Sequence, residues 1–225
     1  RSRSRQKDAW EELVPSTRGT GMGDYLRRFW QPVAVAKDVA PGKAIPIRIM
    51  GEDLTLYRGA TGTPHIVAQR CPHRKTVLHI GWVEDDCIRC RYHGWKFDGM
   101  GQCVEMPAED PSFPPKVKIL HYPAVDYGQL IFAYMGEGEP PEFSGKAELD
   151  RDFGVKWASV QVWPCGWFQR IENSMDSVHI NFVHRNSGFG ETLSTELPDL
   201  EYAETDWGIR TIATRSPTNV RIAEF

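Results

Sequence analysis

No stretch of this sequence approaches the roughly 18 consecutive apolar residues needed to span a bilayer. The N-terminal Arg-Ser-Arg-Ser-Arg is basic but lacks the apolar core of a secretory signal, and five such residues read as a solvated tail. Neither sign of charge dominates: 27 Lys and Arg face 30 Asp and Glu, for a net −3. That balance carries no electrostatic footprint for nucleic acid or an anionic membrane. Cysteine is scarce and odd in number, five in 225 residues. With no export signal beside them, these cysteines point to metal or redox use rather than a disulfide framework. Internal repeats and low-complexity tracts are absent. The expected location is the cytoplasm, with neither nucleic acid nor membrane as partner.

What is there is enough for a packed core: 40% hydrophobic and 11% aromatic residues, in one large or two modest domains. Residues 24–34 read as a short amphipathic helix ended by Pro32. From 45 to 135, short β-rich runs (Ile45–Met50, Leu54–Arg58, His65–Ala68, Cys87–Arg91, Gln129–Tyr134) alternate with turn residues at Gly51–Asp53, Gly59–Pro64 and Asp98–Gly101. This spacing predicts an antiparallel sandwich or small barrel. The polar, Gly- and Pro-rich segment Gly136–Glu142 is the expected domain boundary. Beyond it, Val155–Trp163 alternates as a strand, Trp167 to about His184 reads as one helix, and Glu196–Thr214 returns to strand-like runs. The expected organisation is a tail (1–22), a β domain (23–143) and an α+β domain (144–225), giving an α+β fold class.

Two short motifs in the β domain each pair a thiol with an imidazole: Cys71-Pro-His73 and Cys90-Arg-Tyr-His93, separated by residues 74–89. Each sits where a strand runs into a loop, so two loops are able to converge on one metal centre. Two thiolates on one iron and two imidazoles on the other are the ligands of a Rieske [2Fe–2S] cluster. A zinc site also accepts two Cys and two His, although Cys-x-His is tighter than the usual zinc spacings. Cys87-Ile-Arg-Cys90 forms a further C-x-x-C, without the βαβ surroundings of a thioredoxin-like redox motif.

Cys-x-His, sixteen residues, then Cys-x-x-His-Gly94-Trp95, followed by Phe97-Asp98-x-x-Gly101-x-Cys103, resembles the Rieske domain of aromatic-ring-hydroxylating oxygenases. High-potential respiratory Rieske proteins resemble a different pattern, with an extra cysteine in each loop.

Past the boundary lies Glu172-Asn173-Ser-Met-Asp176-Ser-Val-His179-Ile-Asn-Phe-Val-His184. Two histidines and a carboxylate are the facial triad of non-haem Fe(II) oxygenases, which leaves positions open for O₂. Asn173, Asp176 and His179 share a helical face. His179 and His184, however, stand roughly 140° apart on an ideal helix, so a shared iron requires the helix to end or distort between them. Taken alone, these polar residues also suit a solvated helix face.

Asn-x-x-Asp-x-x-His-x₄-His is similar to the catalytic motif of Rieske oxygenases. With Pro164-Cys165-x-Trp167, it looks most like the homo-oligomeric branch that includes phthalate and phenoxybenzoate dioxygenases. The resemblance implies an antiparallel Rieske domain followed by the start of a helix-grip-like catalytic domain. It implies that Cys71, His73, Cys90 and His93 hold the [2Fe–2S] cluster and that His179 and His184 bind a mononuclear Fe(II). Asp176, with Asn173 beside it, then bridges electrons from the cluster of a neighbouring subunit, reached through His93. It further implies a homotrimer or a multiple of one, with NAD(P)H electrons arriving through a flavin/iron–sulfur reductase or a ferredoxin. O₂ and a small aromatic or related organic substrate complete the reaction, a hydroxylation or demethylation catalysed as a dioxygenase or monooxygenase.

That family takes its third iron ligand, a carboxylate, from far downstream. Asp199, Glu201, Glu204 and Asp206 come too soon after His184 to match, so a longer protein is expected. The rival readings are a Rieske ferredoxin-like electron carrier and a zinc-binding structural module. His65, His79 and His121 read as surface or sheet residues, Cys103 and Cys165 as buried small hydrophobes, and Trp82, Tyr92 and Trp95 as shielding or core. Arg74, Lys75 and Arg91 form a basic rim suited to an acidic reductase or simply to solvent.

Overall fold

The computed structural model describes residues 13–147, 149–186, 196–206 and 208–224; the basic N-terminus lies outside them. The chain divides into two compact units, Arg1–Val162 and Trp163–Phe225. None of the described helices is long and apolar enough to cross a membrane.

The first unit opens with helix α1 (Gly21–Leu26), capped by the Thr20 hydroxyl, which accepts from the Gly23 amide at 3.1 Å. The expected helix over 24–34 therefore ends at Leu26. Trp30–Val35 is instead strand β1, with Pro32 inside it. Pro is tolerated there because β1 is an edge strand, pairing among the described residues with Leu130–Tyr134 alone, and the register shifts beside it between Pro32 and Ala34.

Strands β2 (Ala44–Ile49), β3 (Glu52–Arg58), β4 (Pro64–Ala68) and β9 (His121–Tyr122) form an antiparallel sheet in that order. β2 and β3 are joined through Met50 and Gly51, both at positive φ (45° and 80°), as a two-residue hairpin whose twist matches its strands demands. A second sheet runs β5 (Trp82–Glu84), β6 (Cys87–Arg89), β7 (Lys96–Phe97), β8 (Cys103–Glu105). The third has β11 (Leu130–Tyr134) between β1 and β10 (Ala124–Tyr127). The expected β-rich, antiparallel domain is thus present.

Side-chain alternation on β3 and β4 divides the interior. Tyr57 and Val67 join one core with Cys71, Leu78, Ile88, Cys90, Trp95 and Phe97. Leu54, Leu56 and Ile66 join a second with Val39, Ile131 and Met135. Both faces of β3 are covered, which is why it reads as a near-continuous apolar run rather than a half-polar one. Cys71 and Cys90 are thus buried members of the first core.

The second unit contains helices α2 (Trp167–Met175) and α3 (Val178–Val183) and an antiparallel sheet of β12 (Asp199–Thr205), β13 (Gly208–Ser216) and β14 (Asn219–Glu224). The single expected helix from Trp167 to His184 is two, because Asp176 adopts an extended backbone (φ −79°, ψ 99°). The strand expected at Val155–Trp163 does not form. It has no ladder partner among the described residues, and Val155 and Val162 are almost fully exposed.

Candidate metal centres

Two loops with the same internal wiring carry the first motif pair. The Cys71 amide donates to the Thr76 carbonyl (2.9 Å) and its carbonyl accepts from the Lys75 amide (3.0 Å). In the other loop the Cys90 amide donates to Trp95 (2.8 Å) and its carbonyl accepts from Gly94 (3.1 Å). Each loop closes through one residue at positive φ, Lys75 (59°) or Gly94 (74°). Repeating this turn places the two thiols together and the two imidazoles together. Cys71 and Cys90 are each 2% exposed and their thiols interact. The rings of His73 and His93 lie 4.5 Å apart. Trp95 stacks on His73 and Tyr92 lies against His93, which is itself at the surface.

The donor set fits a [2Fe–2S] cluster. The His73 Nδ1 is buried without a hydrogen-bond partner, a situation that costs about 1–3 kcal/mol unless something satisfies it; a metal ion would. Burial, with the neighbouring Cys90, pushes the Cys71 thiol up to about 11, so a metal must displace its proton to bind. Among the described residues no three His, Cys, Asp or Glu side chains converge on a single ion. Separate thiol and imidazole pairs are the division a cluster of two irons requires.

In the second unit, the end of α3 at Val183 resolves the angular problem. His179 lies in the first turn of α3 and His184 directly after its last residue, and their rings come within 5.4 Å, edge to face. The Asp176 carboxylate accepts from the Val178 (2.8 Å) and His179 (3.3 Å) amides, capping α3. The His179 Nδ1 is hydrogen-bonded to the Asp176 carbonyl. With that nitrogen protonated, Nε2 is the ring atom able to accept a metal. Asn173 lies exposed on α2. Asp199, Glu201, Glu204 and Asp206 do not join the two histidines.

Three features carried no sequence signal. Asn181, fully buried on α3, donates to the Glu196 carbonyl (2.9 Å) and accepts from Arg215 of β13 (2.8 Å), fixing α3 to the sheet between its two histidines. Arg70 and Arg89, each immediately before a cluster-loop cysteine, donate to carbonyls inside those loops. Cys103 is buried as expected but Cys165 is exposed, because residues 153–165 lie on no core. Tyr92 and Trp82 are half exposed or more, and Arg91 sits over the Trp82 ring. His65 (β4) and His121 (β9) are sheet residues, and His79 lies in a 3₁₀ turn.

A cysteine pair, an imidazole pair and this loop-on-sheet frame define a Rieske iron–sulfur domain. Residues 29–123 match the Rieske [2Fe-2S] domain family. The oxygenase subunit of 5,5'-dehydrodivanillate O-demethylase from Sphingobium sp. is 40% identical over 173 residues, covering 75% of this chain and 41% of the relative. Phenoxybenzoate dioxygenase subunit alpha from Ectopseudomonas oleovorans is 34% identical over 218 residues, 88% of this chain and 53% of the relative. The solved structure of NdmB from Pseudomonas putida CBB5 superposes with a TM-score of 0.71 at 25% identity, over 89% of this chain and 62% of that one. Residues 29–123 thus belong to the Rieske [2Fe-2S] domain family, and the relatives that the chain resembles beyond them are oxygenase subunits. It spans about two-fifths to one-half of the curated relatives it matches.

Proposed function

We propose that this chain supplies the Rieske domain (23–143) and the start of the catalytic domain (144–225) of a terminal oxygenase that hydroxylates or demethylates a small aromatic or related organic compound. The observation that carries the reading is the pairing of His179 with His184 at 5.4 Å in the same chain as the thiol–imidazole loops. An electron carrier has no use for a second imidazole pair. The O-demethylase and dioxygenase names of its relatives support the substrate class and the reaction type.

In this reading Cys71, Cys90, His73 and His93 hold the cluster, and His179 and His184 hold the mononuclear iron. When bound, these groups supply single electrons and a site for O₂. The protein's own part is positional. Trp95 screens His73 from water, the Asp176 carbonyl fixes the His179 ring, and the Asp176 carboxylate sets where α3 begins. Asp176, with Asn173 one turn before it, is proposed as the link between the cluster of one copy and the iron of the next, within a homotrimer or a multiple of one. NAD(P)H is the proposed electron source, through a flavin/iron–sulfur reductase or a ferredoxin docking near the exposed His93, in the cytoplasm.

Electron paramagnetic resonance on dithionite-reduced protein, before and after nitric oxide, tests this. A rhombic Rieske signal together with a high-spin ferrous–nitrosyl signal is expected. A Rieske signal alone would leave an electron carrier or a stretch too short to hold its catalytic iron, and neither signal would leave a zinc module.

A further inference from the structure

The two cluster loops share one more contact. Arg70 Nη1 donates to the Lys75 carbonyl at 2.9 Å, and Arg89 Nη1 donates to the Gly94 carbonyl at 2.8 Å. In each case the arginine stands immediately before the cysteine, and the acceptor is the positive-φ residue five positions on. Two loops of different sequence and different histidine spacing are thus tied at the same point by the same group. We infer that Arg70 and Arg89 are paired positioning residues for the cluster ligands, an inference that rests on reading Cys71, His73, Cys90 and His93 as those ligands.

The pair is unequal, and the inequality makes the inference testable. Arg89 uses all five of its N–H donors. Besides Gly94, it donates to both oxygens of Glu84 (2.8 and 2.9 Å) and both of Glu105 (3.0 and 2.7 Å). Lys96 adds a contact to Glu84 at 3.2 Å, so the four charges balance. These hydrogen bonds from Arg89 hold the Glu84 and Glu105 carboxyls below their usual range. The main chain of Arg89 is also closely approached, since a methyl group on Gly81 would stand 2.0 Å from its carbonyl oxygen. Its fork is therefore fixed by β5 and β8 and holds the carbonyl that follows His93. Arg70 is exposed, and among the described residues its tie to Lys75 is braced by no carboxylate.

A planar guanidinium can bond two carboxylates and a carbonyl at once; an ammonium carries the same charge but not that geometry. Arg89→Lys and Arg70→Lys therefore separate position from charge, with Arg89→Gln and Arg70→Gln as the charge-deleting partners. Amide exchange of Lys75 and Gly94, whose N–H groups close the two loops, is read in the metal-free and the reconstituted chain, alongside the electron paramagnetic resonance g-values of the reduced cluster. Both Arg89 variants are expected to speed Gly94 exchange about tenfold and leave Lys75 unchanged. The Arg70 variants should speed Lys75 alone, by less, and all four should shift the g-values.

If the Lys variants match the unmodified chain, the arginines supply charge only and the inference fails. Faster exchange spread evenly over β5 to β8 would likewise reduce Arg89 to a sheet residue and overturn it. Should the Arg89 variants not fold, Glu105→Gln removes one arm of the clamp from a half-exposed site; an unchanged Gly94 amide there overturns the inference. Absence of a Rieske signal from the unmodified chain would overturn the ligand reading, a failure told apart because exchange in the same sample reports on the ties themselves.

Discussion

The indole of Trp95 lies flat against the imidazole of His73, ring centroids 4.9 Å apart and planes 12° from parallel. Trp95 is buried and also meets the Phe113 ring in a T-shaped contact. It is therefore at once a core residue and the wall of the imidazole pair. Trp95→Ala is expected to cost about 3–5 kcal/mol of stability, as truncation of a buried large aromatic does, and to lower cluster retention. Trp95→Phe should keep most of the stability. Urea denaturation with visible absorption of the cluster checks both; a loss under about 1 kcal/mol for the Ala variant would contradict a core role.

Cys71→Ser is expected to abolish cluster binding while leaving the fold, because the serine hydroxyl is similar in size but a poor iron ligand. Iron and acid-labile sulfide analysis, with far-ultraviolet circular dichroism as the control, decides it. Retained iron at the wild-type ratio would remove Cys71 from the site.

His179→Ala should leave the Rieske signal intact and remove the ferrous–nitrosyl signal. Asn181→Leu should weaken the same signal more mildly, since it frees α3 from Glu196 and Arg215 without touching either imidazole. A nitrosyl signal undiminished in His179→Ala would place the iron elsewhere.

Glu52 anchors the N-terminal segment. It accepts from the Arg27 guanidinium (2.8 Å) and the Tyr122 hydroxyl (2.6 Å), with Arg18 at 3.6 Å. Burial pushes its carboxyl up, but the Tyr122 hydroxyl and the Arg27 guanidinium outweigh that and hold it below the usual range. A lowered carboxyl stabilises the fold above its ordinary pKa, and the gain is lost as pH falls through the lower folded value. Glu52→Gln is therefore expected to cost about 1–3 kcal/mol at pH 7, with the difference from the unmodified chain shrinking below about pH 4.5. Thermal melts of both chains from pH 7 to pH 3 would show it; a constant gap would refute it.

Gly101 holds φ at +74°, and a methyl group there would stand 2.2 Å from the Ile119 carbonyl oxygen. Gly62 has a similar φ of +85° but open space around it. Gly62→Ala should cost only the left-handed backbone strain, about 1 kcal/mol, and Gly101→Ala at least about 2 kcal/mol more. Equal losses in a denaturant titration would mean that the loop yields freely at Ile119.

Legibility from sequence followed the range of the interactions. The β2–β3 hairpin and the Asp98–Gly101 turn were readable because both are local. In the latter, the Asp98 carboxylate accepts from the amides of Met100 and Gln102, so side chain and turn lie within five residues. The helix expected across 24–34 failed because β11 offers Trp30–Val35 a ladder, and pairing with a distant strand outweighs local periodicity. Val155–Trp163 failed in the opposite sense: its alternation is real, but alternation makes a strand only when another strand pairs with it. The end of α3 at Val183 is legible, since the His179–His184 spacing demands that the helix end or distort between them, whereas the break at Asp176 lies outside that interval.

By itself the sequence determined which atoms are available for chemistry: two thiols and two imidazoles in paired motifs, then two further imidazoles beside an Asp and an Asn. Ligand identity and spacing are local properties of a chain, and a cluster tolerates few alternatives to them. Only the tertiary structure decided that Cys71 meets Cys90 while His73 meets His93, that Trp95 closes over them, and that Arg70 and Arg89 tie the two loops alike. Those relations depend on strands far apart in the chain burying shared apolar surface. A pairing set by packing leaves no mark on any one stretch of residues.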